Sequence, residues 1–140
     1  CYALVDQLHL ENVIFTGRVD IISYMEKLDF TILTSISEGQ PLSVLESFAA
    51  RRPCVTTDVG CCRELLNGNE EDRYGNCVPP MYREGLAQAM DQMCASRARR
   101  LRMGANAQKR VKAYYRKEEM IEKYRKMYQE VEEADGRNRI

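Results

Sequence analysis

Short β-favouring runs alternate with helix-period segments through the first 94 residues, and a chain built that way has few folds open to it. The runs are residues 12–17, stopped by Gly17; residues 30–34; residues 53–57; and residues 75–78, closed by Pro79 and Pro80. Between them the apolar spacing turns helical. Residues 1–10 read as the end of a helix, and Asp20 can cap a short one whose apolar side is Ile21, Ile22, Tyr24, Met25 and Leu28. A third is expected from Pro41 to about Arg51, with Leu42, Val44, Leu45, Phe48 and Ala49 in helical spacing, and a short one spans residues 62–66. Helices are predicted over about residues 83–94, 97–115 and 118–134, with a polar tail over residues 135–140 expected to fray. This order predicts an α/β fold, a doubly wound and mainly parallel Rossmann-like sheet followed by a helical C-terminus. Ligands of such sheets bind beyond the carboxyl ends of the strands, which singles out Gly17 and Arg18, residues 35–42, residues 58–62 and Pro79–Pro80.

Composition narrows the partners. Hydrophobic residues make up 44% and charged residues 30% of the 140, values of a soluble globular domain rather than a disordered or membrane chain. The 21 basic and 21 acidic side chains cancel, so no global field argues for nucleic acid or an anionic membrane surface. No apolar run approaches the roughly 20 residues a membrane helix needs, and residues 1–4 carry no signal-like stretch, so membrane insertion is not expected and a cytoplasmic location is. The six cysteines contain no C-x-x-C pair and His9 is the single histidine, which makes zinc an unfavoured reading beside buried, reduced thiols.

The densest chemical signal is the stretch from Ser35 to Glu46: a strand end, a glycine loop and a helix start bracketed by Glu38 and Glu46. Backbone N–H groups near Gly39, Gln40, Leu42 and Ser43, with the positive end of the helix dipole, make an anion site suited to a diphosphate. Pro41 has no N–H and serves by fixing the entry angle. Glu46 lies about 7.5 Å along the helix at 1.5 Å per residue, a fair reach from such a phosphate to a ribose. Glu38, beside the phosphate end, is placed to face a sugar. The bland alternative is that two glutamates eight apart arise by chance and that Glu46 sits on a solvated helix face.

The pattern from Glu38 to Glu46, followed by residues 49–60 and then Arg63-Glu64-Leu65-Leu66, resembles the retaining glycosyltransferase family 4. Residues 12–17 and 75–80 fall where that family has its matching segments. Residues 34–42 and 58–65 are similar to the subfamily of cytosolic glycosyltransferases of Pel-type exopolysaccharide synthesis, which implies a uridine-diphosphate (UDP) hexose donor, with glucose expected. The resemblance implies that residues 1–134 are part of the C-terminal, donor-binding lobe of a two-lobed GT-B fold. It implies that Glu38, as the catalytic contact, holds the hexose hydroxyls, with Gly39, Gln40, Pro41, Leu42 and Ser43 around the sugar and diphosphate. Glu46 would hold the ribose, and Gly17 and Arg18 would lie against the uracil, although Arg18 is equally readable as an ordinary solvated arginine. No D-x-D motif is present, so neither a metal nor another cofactor is expected. Arg51-Arg52 stands where the family usually has a glycine, which puts the tightness of that helix end in question.

The same resemblance implies an arginine–lysine pair for the leaving diphosphate and two strands upstream of Asn12, and neither is found in residues 1–10. The expected partners are therefore a UDP-sugar, the other lobe or a chain supplying it, and a second copy drawn to an open sheet edge. The expectation is an inactive fragment, split-gene half or remnant. Two other readings stand beside it. One is a non-catalytic nucleotide-binding or interaction module docking through Met120, Ile121, Tyr124, Met127, Tyr128 and Val131, a stripe that otherwise packs on its own domain or the other lobe. The other is a sugar-nucleotide epimerase, which the Glu38–Glu46 segment disfavours.

Overall fold

The computed structural model of the chain describes residues 1–68 and 73–137. Three strands are present among them, β1 (Thr31–Leu33), β2 (Cys54–Thr57) and β3 (Gly75–Val78), paired in parallel in that order. Thr31 stands opposite Cys54 and Leu33 opposite Thr56, while Cys54 meets Gly75 and Thr57 meets Val78 across the other edge of β2. The helices are α1 (Tyr2–Gln7), α2 (Ile21–Met25), α3 (Leu42–Ala49), α4 (Cys62–Leu66), α5 (Arg83–Ala95), α6 (Arg97–Tyr114) and α7 (Lys117–Arg137).

Successive residues of a strand face opposite sides, and β2 uses both. Cys54 packs with Val44, Phe48, Leu65, Leu66 and Ala107, whereas Val55 packs with Val78, Ala89, Met93 and Met103. Helices α3 and α4 therefore cover one face and α5 the other, with α6 contributing to both. Each fully buried large side chain here, Phe48 or Leu65 for example, stabilises the fold by about 1.5–3 kcal/mol. Caps set the helix ends: the Ser23 amide donates to Asp20 Oδ2 at 3.2 Å as the sequence implied, and the Arg99 amide donates to Ser96 Oγ at 3.2 Å. The Arg100 guanidinium closes α5 by donating to the carbonyls of Met93 and Cys94 at 2.6 and 3.1 Å.

Four expectations change. Residues 12–17 form no strand, and Val13, Ile14 and Phe15 are 40%, 81% and 41% exposed. An extended apolar run becomes a strand only where a neighbour meets its N–H and C=O groups, and among the described residues none does; Phe15 instead packs on the Tyr2 ring, centroids 4.0 Å apart. The last helix does not stop at Ala134 but continues to Arg137; residues 138–140 of the expected tail lie outside the described residues. Its apolar stripe is only partly covered by this domain: Ile121 is half-buried and Met120 and Tyr124 border a hollow with Leu42 and Leu45, whereas Met127, Tyr128 and Val131 are about half exposed. The cysteines are mixed rather than uniformly buried: Cys54 and Cys62 are buried, Cys1 and Cys94 exposed, and all six are free. Burial pushes the Cys54 thiol up to about 12, so it stays protonated and inert. No helix among the described residues is long and apolar enough to cross a membrane.

The end of α3 answers the question raised by Arg51. The Arg51 amide donates to Phe48 O at 3.0 Å and the Arg52 amide to Ser47 O at 2.8 Å, the paired bonds of a Schellman cap. Arg51 occupies its left-handed position, φ 61°, where a Cβ is strained and glycine is not. Gly104 of α6 lies against this turn so closely that a Cβ on it would stand 2.0 Å from Arg51 O. Arg51→Gly should therefore raise the stability by about 1 kcal/mol and Gly104→Ala lower it by about 1–3 kcal/mol in urea unfolding. Unchanged midpoints in both would mean that this turn is not strained as described.

Candidate functional site

The parallel strands end on one edge, and the loops leaving β1 and β2 meet there. Thr57, buried at the end of β2, donates its hydroxyl to Ser35 O at 2.6 Å. Ser35 in turn donates its own hydroxyl to Glu38 Oε1, also at 2.6 Å, so the half-buried Glu38 carboxylate is held in one orientation. From the turn between β2 and α4, the Cys61 amide donates to Gly39 O at 3.0 Å. Gly60 before it has φ 53°, and a Cβ there would lie 2.3 Å from Glu38 O and 2.5 Å from Gly39 O.

Helix α3 begins immediately after this loop. Pro41 is its N-cap rather than its first residue, with extended backbone (φ −70°, ψ 115°) and no side-chain cap. The first-turn amides of Leu42 and Ser43 thus have no intrahelical acceptor and face outward at the positive end of the dipole. Gly39, Gln40, Leu42 and Ser43 are all exposed. Leu42 and Leu45 line, with Gln40, a hollow of about 430 Å³ whose far wall is Tyr114–Lys117 and Tyr124. Glu46, one turn on from Leu42 and exposed, opens instead into a cleft of about 560 Å³ shared with Ile21, Ile22 and Met25 of α2.

The structure therefore brings Glu38, Gly39, Gln40, Pro41, Leu42 and Ser43 together around one loop and helix start. It sets Glu46 apart, in a second cleft on the side of α3 that faces α2. Gly17 (φ 62°) and Arg18 are exposed on the segment leading into α2 and line neither cavity. A further hollow of about 490 Å³ at the strand ends is lined by Thr34, Thr57, Pro79 and Tyr82, and includes Pro79 of the Pro79–Pro80 pair but not Pro80. Another, of about 580 Å³, is walled by α1 and the segment after it, including Asp6, His9 and Phe15, with no residue from the strand ends.

Beside the loop, Arg63 donates from Nε to Asp58 Oδ2 at 2.9 Å and from Nη2 to the same oxygen. This guanidinium holds the Asp58 carboxyl below the usual carboxylate range. Arg63 is thereby engaged with its own neighbour in the β2–α4 turn. The sequence singled out the segments that hold Ser35 and Gly60 without giving either residue a role, and it gave no sign of Thr57. Ser35 and Glu38 do stand at the Ser-x-x-Glu spacing of a reciprocal cap, a signal that could have found the first of them.

Comparison with known proteins bears on the family and the fold. The family described as "Glycosyl transferases group 1" matches residues 2–96. Over 139 residues, 98% of the chain, the sequence is 27% identical to N-acetyl-alpha-D-glucosaminyl L-malate synthase of Bacillus anthracis, covering 36% of that protein. The fold superposes on sucrose-phosphate synthase of Thermosynechococcus elongatus with a TM-score of 0.87 at 26% identity, over 95% of this chain and 34% of that one. It also superposes on HepE of Anabaena, a structure in complex with UDP-glucose, with a TM-score of 0.73 at 24% identity, over 81% of this chain and 31% of that one. The chain spans between 18% and 36% of the length of such sequence relatives. With its matched segment running from α1 to the end of α5, the chain belongs to the glycosyl transferases group 1 family.

Proposed function

We propose that this chain is the donor-binding part of a retaining, family 4 glycosyltransferase with a GT-B fold, taking a hexose from a UDP-sugar, UDP-glucose first among them, to a glycan acceptor. The observation that carries the reading is the loop itself: a carboxylate held in place at Glu38, directly before an uncapped helix start whose amides at Leu42 and Ser43 are exposed. The fold shared with a UDP-glucose complex supports the choice of ligand.

On this reading the amides of Gly39, Gln40, Leu42 and Ser43 receive the diphosphate, with Pro41 setting the direction of the helix. Glu38 holds hexose hydroxyls so that the anomeric carbon is presented to the acceptor. As the bond from that carbon to the diphosphate breaks, negative charge grows on the leaving oxygen, and pre-aimed amides stabilise it without reorganising. The work is positional and electrostatic, with no metal or cofactor assigned to it. Glu46 accepts ribose hydroxyls, and Gly17 and Arg18 lie by the base; the Glu46 cleft extends to α2, which begins three residues after Arg18. Acceptor binding and the basic groups for the leaving diphosphate are assigned to the other lobe, so these 140 residues bind donor and do not transfer it alone. The cellular setting we infer is cytoplasmic, in polysaccharide synthesis of the Pel exopolysaccharide type.

A second reading, a non-catalytic interaction module, draws on the exposed stripe of α7. Calorimetric titration with UDP and UDP-glucose, without added metal, separates the two. The donor reading expects saturable binding of both, weakened about ten- to a hundred-fold by Glu46→Ala through loss of charge-assisted ribose bonds. Unchanged affinity in that variant would overturn the assignment of Glu46, and silence from the folded wild-type chain would favour the module.

A further inference from the structure

The groups that the donor reading turns toward a ligand sit on an exposed loop, yet their orientation is set from outside it. Ser35 fixes Glu38 at one carboxylate oxygen, leaving Oε2 to meet a ligand, and Ser35 is itself tied through its carbonyl to Thr57, which is only 6% exposed on the central strand. A carboxylate without such a partner would sample several rotamers and lose freedom on binding.

The second brace acts on the backbone. In a trans peptide the C=O of one residue and the N–H of the next point in opposite directions, and the chain contains no cis bond among the described residues. The Cys61 amide draws the Gly39 carbonyl toward the β2–α4 turn, which directs the Gln40 N–H away from that turn, to the open side of the loop. The approach is possible because position 60 has no Cβ; any larger residue would collide with the carbonyls of Glu38 and Gly39.

We propose that Ser35 and Gly60 are positioning residues of the donor site: Ser35 orients Glu38 for the hexose, and Gly60 lets the Cys61 amide orient the Gln40 N–H for the diphosphate. This rests on the donor-site reading above, and it divides the loop by ligand moiety. Ser35 serves the sugar alone. Gly60 serves the part common to UDP and UDP-glucose.

The test is calorimetric titration of the full chain and of Ser35→Ala, Ser35→Thr, Gly60→Ala and Glu38→Ala with UDP and with UDP-glucose, each variant first checked for an unchanged circular dichroism spectrum. Ser35→Ala should lose about tenfold in UDP-glucose affinity and keep its UDP affinity, while Ser35→Thr, which retains the hydroxyl, restores the sugar-dependent part. Gly60→Ala should weaken both ligands alike. Equal losses for both ligands in Ser35→Ala would mark it as merely structural and overturn its role. Should Glu38→Ala lose UDP-glucose affinity while Ser35→Ala and Gly60→Ala match the wild type, the bracing fails and the donor site stands. A wild-type chain that binds neither ligand overturns the donor reading and this proposal with it. If Gly60→Ala does not fold, the Ser35 pair decides.

Discussion

The parallel pairing of β1 on β2 is the constraint from which the rest of the site follows. With Leu33 opposite Thr56, the residues after each strand emerge level with one another, and the Thr57 hydroxyl reaches the Ser35 carbonyl across the gap. A slip of one residue would turn Thr57 to the other face and break that contact. The pairing is secured because β2 is buried along its whole length and packs helices on both faces, one through Cys54 and the other through Val55. Two loops far apart in sequence thereby become one structure, with the Asp58–Cys62 turn pressed against Glu38 and Gly39.

Much of this was legible in the residues because it depends on local chemistry. β-Branched and apolar runs broken by glycine and proline place all three strands, Asp20 marks a cap that forms, and the glycine loop before Pro41 marks a helix start, which has no side-chain cap. What stayed hidden depends on neighbours. Residues 12–17 have the composition of a strand, but composition does not reveal whether a second strand stands beside them. Arg51 gives no sign from its own side chain that it adopts a left-handed backbone; that conformation belongs to the paired bonds that close α3, against which Gly104 of α6 lies. The bracing of Glu38 by Ser35 and Thr57 joins residues 22 apart in one of its links, a distance no spacing rule spans.

The arrangement of the candidate site is correspondingly uneven. Glu38 through Ser43 form one continuous surface, while Glu46 opens into the cleft shared with α2, on another side of the same helix. A ligand contacting both ends must run along α3 from its N-terminus toward Ile21 and Ile22, and a nucleoside diphosphate has the length to do so: phosphate at the helix start, ribose one turn further on. Membership in the glycosyl transferases group 1 family is in keeping with such a ligand.

The proposed diphosphate site is the run of backbone amides at the start of α3. The most direct measurement is a two-dimensional ¹⁵N–¹H spectrum of the labelled chain titrated with UDP. The amide resonances of Gly39, Gln40, Leu42 and Ser43 should move most and saturate together, followed by Glu46. Largest shifts in the hollow beside Tyr2, Asp6 and His9, or along α7, with the α3 loop unmoved, would contradict it.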